Sequence, residues 1–177
     1  MPLLAVTAIG ADRPGIVADV TGVLVRKGCN LEDTSMSILR GHFAMVLIVA
    51  APDGLGPTAL ESAIAAAAGD LVVSVGAVAS QDPVGDEHAS DAWTVVVYGA
   101  DHPGIVHGVA ATLAGLAANI VDLSTRVTGD DRPIYSMVME VELPTGLTGA
   151  ELQAALDATA AELGVECSVH PSEADIL

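Results

Sequence analysis

The chain repeats itself. Residues 10–38 (GADRPGIVADVTGVLVRKGCNLEDTSMSI) align without a gap on residues 99–127 (GADHPGIVHGVAATLAGLAANIVDLSTRV), at an offset of 89. Twelve positions are identical: Gly10, Ala11, Asp12, Pro14, Gly15, Ile16, Val17, Val20, Leu24, Asn30, Asp33 and Ser35, each with its partner 89 residues on. The match then resumes after a three-residue insertion, with FAMVLIV from Phe43 on YSMVMEV from Tyr135. A self-match at one fixed spacing constrains the fold more than any composition does, because each copy must be the same supersecondary unit. The 177 residues therefore read as two small domains, 1–79 and 93–177. Between them, 80–92 (SQDPVGDEHASDA) is polar and acidic with Pro and Gly, as a linker should be.

Each copy reads as β-α-β-β-α-β. In the first, Leu3–Ile9 is a short apolar strand bounded by Gly10 and Pro14. Ile16, Val17, Val20, Val23, Leu24 and Lys27 keep helical spacing up to Gly28, a C-cap candidate. Asn30–Leu39 forms the second strand, Gly41 and His42 a turn, and Phe43–Ala50 a strongly apolar third strand. Thr58-Ala-Leu-Glu61 has the spacing of a capping box and opens an Ala-rich helix to about Ala68, after which Leu71–Val78 closes the unit. The second copy runs Trp93–Tyr98, Pro103–Leu116, Asn119–Val127 and Tyr135–Leu143, then a helix opened by the capping box Thr148-Gly-Ala-Glu151, then Val165–His170. This order predicts an α+β fold of two ferredoxin-like units, each an antiparallel four-stranded sheet with both helices on one face.

The third strands carry an expectation about assembly. In the first copy both faces are apolar: Phe43, Met45, Leu47 and Val49 on one, Ala44, Val46, Ile48 and Ala50 on the other. In the second copy the other face is Ser136, Val138, Glu140 and Glu142. Helices of one unit cover only one face, so the first copy is left with an apolar patch of a kind monomers seldom expose. A homodimer through that face, with Ile48 near its centre, is expected.

Composition narrows the function. The chain is 51% hydrophobic but 2% aromatic, so its cores must be aliphatic. Its formal charge is −17, of which residues 1–80 carry −3 (seven acids against four bases), leaving −14 to the rest with Arg126 and Arg132 as their fixed cations. Such a surface repels phosphate backbones, and direct nucleic-acid binding is not expected. The longest apolar run, Phe43–Ala51, is far short of the ~20 residues a membrane-spanning helix needs, and no basic residue precedes the first apolar stretch as in a signal peptide. No membrane association and a cytoplasmic location are the expectation. Cys29 and Cys167 stand far apart without a CxxC and read as reduced thiols.

The two copies agree best at the first strand-to-helix junction, Gly-Ala-Asp-x-Pro-Gly-Ile-Val. Read as a helix start alone, the motif is already sensible. Pro14 presets the first-turn φ, Asp12 can accept from an orphan amide, and Gly10 permits a tight turn. Read as a site, Gly15 offers no side chain, so a ligand can approach the N-terminal amides, where the helix dipole favours a carboxylate. Asn30 and Asn119 open the following strand at the same register, and each supplies a donor and an acceptor suited to an amino group and a carboxylate. A satisfied turn residue is the alternative.

Asp-Arg-Pro-Gly-Ile-Val followed by Gly-Cys-Asn-Leu-Glu-Asp resembles the ACT domain, the regulatory module of many amino-acid-metabolic enzymes. Two such copies without a catalytic domain resemble the glycine cleavage system transcriptional repressor group. The DRPGIV stretch also resembles the N-terminal segment of formyltetrahydrofolate deformylase. The resemblance implies an amino-acid effector held between the β1–α1 loop of one unit and the β2 start of an adjoining one. It also implies regulation through a protein partner such as a DNA-binding regulator, in amino-acid or one-carbon metabolism. Carried over by position, it implicates Asp12, Arg13, Gly15, Ile16 and Asn30, and Asp101, His102, Gly104, Ile105 and Asn119. The second copy departs at His102, which replaces the permanent cation Arg13 with a group mostly neutral at pH 7, so the first site is expected to be the better anion binder.

Other classes fit less well. His42, His88, His102, His107 and His170 form no metal set with the cysteines or acids, and no cofactor is expected. There is no GxSxG or P-loop, no glycine-rich phosphate loop of the acylphosphatase kind, and no CxxC of a ferredoxin-like metal chaperone. An RNA-binding sheet would need surface aromatics and basic charge. The chain is read as a non-enzyme. The alternatives are a ligand-free structural or assembly module and, behind it, a small ferredoxin-like enzyme.

Overall fold

Each half of the chain forms the βαββαβ unit that the repeat implies. The computed structural model describes residues 1–79, 92–129 and 133–172. The first unit comprises β1 (Leu3–Ala11), α1 (Ile16–Arg26), β2 (Asn30–Leu39), β3 (His42–Ala50), α2 (Pro57–Ala68) and β4 (Val72–Val78). The second comprises β5 (Ala92–Ala100), α3 (Ile105–Gly115), β6 (Asn119–Thr128), β7 (Ile134–Glu142), α4 (Gly149–Leu163) and β8 (Val165–Pro171). Both sheets are antiparallel throughout, ordered β2-β3-β1-β4 and β6-β7-β5-β8. The chain divides into two units, Met1–Val84 and Gly85–Leu177. Apart from Ala92, the linker read at 80–92 lies outside the described residues, as does 130–132 in the stretch carrying the insertion.

Period-two burial on the central strands meets period-3.6 burial on the helices. Leu4, Val6 and Ala8 of β1, with Phe43, Met45, Leu47 and Val49 of β3, point inward against Ile16, Val20, Val23 and Leu24 of α1 and Leu60, Ile64 and Ala68 of α2. The second core repeats this with Val95 and Val97, Tyr135, Met137, Met139 and Val141, Ile105, Val109 and Leu113, and Leu152, Leu156 and Ala160. Each such aliphatic side chain contributes about 1.5–3 kcal/mol on full burial. The open faces divide as the sequence predicts: Val46 is exposed and Ile48 half-buried in the first unit, while Glu140 stands exposed in the second.

Several local readings change. The first helix opens at Ile16, not at Pro14, with Gly15 as N-cap at φ 92°, and Gly104 takes the same role at φ 103°. That left-handed backbone is why a glycine stands there in both copies. Neither N-cap has a side-chain hydrogen bond, so Asp12 is not a cap. Gly10 makes no turn either; it lies in β1, where an added Cβ would stand 2.5 Å from Leu71 Cδ2. The β2–β3 hairpin turns on Arg40 and Gly41, both at positive φ, rather than on Gly41 and His42.

Of the two capping boxes only the second forms. Thr148 Oγ1 accepts from Glu151 N, and Glu151 Oε2 from Thr148 N. In α2 the helix starts one residue earlier, with Pro57 in the first turn and Gly56 as N-cap, so Thr58 is already helical. Glu61 instead accepts from the Val75 amide of β4 at 3.0 Å. A proline fixed at helical φ has displaced the cap.

Candidate functional site

The sheet order decides what the repeated loop faces. β2 and β6 are edge strands that the helices do not reach across, and every residue of β2 is exposed. Between α1 and β2 this leaves a groove of about 450 Å³ at the head of the helix, lined by Asp12, Arg13, Gly15, Ile16, Val17, Ala18, Thr21, Met36 and Phe43. Its counterpart of about 350 Å³ is lined by His102, Pro103, Gly104, Ile105, Val106, His107 and Tyr135. Four of the five residues read from the first copy thus gather in one groove, and His102, Gly104 and Ile105 gather in the other. Asp101 anchors its loop through its amide to Pro133 O at 3.5 Å, as Asp12 does to Gly41 O at 3.0 Å.

Asn30 and Asn119 are elsewhere within their own units. Asn30 pairs with Ala50, which lies opposite Leu3 at the start of β1, whereas Asp12 follows the end of that strand. Nine residue steps, from Leu3 to Asp12, separate the two, about 30 Å at ~3.3 Å per residue. Asn30 Nδ2 donates to Glu32 Oε1 at 2.8 Å, and Asn119 Nδ2 to Glu142 Oε2 at 3.4 Å. An amino-acid-sized ligand cannot touch both the loop and the asparagine of the same unit.

The charge at the loops differs from the sequence expectation. Arg13 is not a free cation: its guanidinium Nη2 bonds Asp19 Oδ2 at 2.8 Å and donates to Ala68 O at 3.2 Å, while Nη1 donates to Pro14 O at 3.4 Å. His102 is tied in the same way, with Nδ1 3.0 Å from Pro103 O and Nε2 2.8 Å from Leu163 O. Those two carbonyls push its pKa above the ordinary 6.5, with Asp101 adding to the effect. Arg13 and His102 thus spend their polar atoms in the same way, on the carbonyl of the next residue and on that of a helix end.

Sequence reasoning missed the groove floor. Phe43 and Tyr135 were aligned by the repeat, so a signal existed for an aromatic at that place. Tyr135 is nearly buried, its hydroxyl donates to Met137 Sδ at 3.5 Å, and burial raises its pKa. Met36, half exposed on the edge strand, carried no such signal. The Thr21 hydroxyl is spent on Val17 O at 2.7 Å. Among the described residues no polar or charged side chain besides the Tyr135 phenol is buried, and no cluster of His, Cys, Asp and Glu could hold a metal ion.

Paired βαββαβ units, each with an uncapped glycine at its first helix beside an open groove, define a duplicated module of the ferredoxin-like class. A sequence profile of the ACT domain matches residues 3–77 and again 94–170, and the chain belongs to the ACT-domain family. It is 24% identical over 170 residues to the glycine cleavage system transcriptional repressor of Escherichia coli, covering 94% of this chain and 88% of that one. It is 30% identical over 166 residues to the phosphoserine phosphatase SerB2 of Mycobacterium tuberculosis, covering 93% of this chain. The chain spans only 40% of that phosphatase's length. A solved structure of an unknown protein from Galdieria sulphuraria superposes with a TM-score of 0.77 at 28% identity, over 97% of this chain and 99% of that one. Among the described residues no helix is long and apolar enough to cross a membrane.

Proposed function

We propose that the protein is an amino-acid-sensing regulator that acts through a protein partner in amino-acid or one-carbon metabolism. The observation that carries this reading is the duplicated groove at an uncapped helix N-terminus. The free amides suit an α-carboxylate, and the floor of Ile16, Val17, Met36 and Phe43 suits an aliphatic side chain. Asn30 or Asn119 of an adjoining unit would receive the amino group. Similarity to a transcriptional repressor supports a regulatory role. A charge of −17 disfavours direct DNA contact and supports a separate DNA-binding partner. We take the chain as non-catalytic: burial raises the pKa of Tyr135, Cys29 and Cys167, which keeps all three in their protonated, unreactive forms.

The test is a thermal-shift screen of the twenty amino acids on wild type, Gly15→Val and Gly104→Val. A ligand at 100 times its Kd stabilises by about 2.7 kcal/mol, which wild type should show and each variant should lose in part. If no amino acid shifts the wild-type melting temperature, the ligand-free assembly module is the better description.

A further inference from the structure

We infer that His102 is a proton-operated latch: as the imidazolium it ties the β5–α3 loop to the C-terminal end of α4, and on deprotonation it releases that loop. The evidence is the match between two different residues at one aligned position. Arg13 reaches the carbonyl of the next residue, Pro14, and that of Ala68, the last residue of α2. His102 reaches the carbonyl of the next residue, Pro103, and that of Leu163, the last residue of α4. Both partners of the imidazole are acceptors, so both ring nitrogens must carry hydrogen. A neutral imidazole has one N–H, and its other nitrogen would set a lone pair against a carbonyl oxygen. A guanidinium cannot lose its proton in this range, whereas histidine can.

The surroundings reinforce the cationic form. The carbonyl end of α4 is the negative end of a helix dipole. Asp101, on the loop itself, favours the cation. From α3 His107 and from β7 Tyr135 line the same groove, and on α4 Glu162 immediately precedes the accepting carbonyl. Asp19, which pairs with Arg13, has Gly108 as its counterpart, so no carboxylate locks the second latch permanently. Because the folded-state pKa is raised above 6.5, the latch's stabilisation is fully present below that value and is lost as pH rises through the folded one. The first unit, held by Arg13, should show no such dependence.

The latch is tested without ligand, so its failure and the failure of the proposed sensing function are distinguishable. In the 177-residue chain, NMR should show the His102 ring titrating with a midpoint above 6.5, and the Ile105 and Gly164 amides following that midpoint. His102→Arg, which imports the first copy's residue, should hold those amides at their low-pH positions from about pH 5.5 to 9. His102→Gln should abolish their titration; if that variant does not fold, His102→Arg decides alone. A His102 midpoint at or below 6.5, or amides that keep titrating in His102→Arg, would overturn the inference.

Discussion

Replacing Gly99 by alanine should cost far more than replacing its repeat counterpart Gly10. At Gly99 the added Cβ would stand 2.8 Å from Val165 Cγ1, 3.1 Å from Val165 Cβ and 3.2 Å from Val165 Cα. Carbon atoms settle at about 3.5–4.0 Å, so β8 must retreat by several tenths of an ångström. Its backbone is not free to do so, because Gly99 and Val165 are register partners. At Gly10 the 2.5 Å contact is with Leu71 Cδ2, the end of a flexible side chain, and the nearest backbone atom is 3.4 Å away. That side chain can rotate, and replacing glycine within a strand recovers about 0.5–1 kcal/mol of chain entropy. The expected losses are about 1–3 kcal/mol for Gly99→Ala and under about 1 kcal/mol for Gly10→Ala. At roughly 4–8 °C per kcal/mol for a unit of this size, differential scanning calorimetry resolves the difference. Equal losses, or a larger one at Gly10, would refute the backbone-clearance argument.

Two further outcomes follow from particular residues. Thr148→Ala should cost about 0.5–2 kcal/mol by removing the one formed capping box, while Thr58→Ala should be close to neutral in the same melts. The Thr148 amide and then its hydroxyl hold the Glu151 carboxyl below its ordinary 4.5. Its contribution is therefore complete above that value and lost as pH falls through the lower folded one, so the gap between wild type and Thr148→Ala should narrow in acid by the hydroxyl's share without closing, because Thr148 Oγ1 still accepts from the Glu151 amide. For assembly, the proposed dimer through the open face of the first sheet predicts that Ile48→Glu gives a folded monomer by light scattering. Wild type that is already monomeric at high concentration would discard that interface.

What the sequence by itself determined was the repeat and everything short-ranged within it. Alternation in Phe43–Val49 and Tyr135–Val141 assigned the buried face of each third strand correctly, and helical spacing assigned Ile16, Val20 and Leu24 to the core. Local periodicity suffices there because one turn or one pleat carries the information. The repeated strand-to-helix loop was legible too, since identity between copies marks it. The tertiary structure decided the rest, through partners far apart in the chain. Arg13 and His102 looked like a charge and its loss, yet each spans to a helix end 55 or 61 residues away and does the same work. Glu61 looked like a cap and is claimed by the amide of Val75. Asn30 repeats along with Asp12, but the parallel run of β1 and β2 on either side of β3 sets the two at opposite ends of their own sheet. Which strand lies at an edge, and what a long polar side chain can reach from there, depends on how the sheet assembles, and no window of sequence holds that distance.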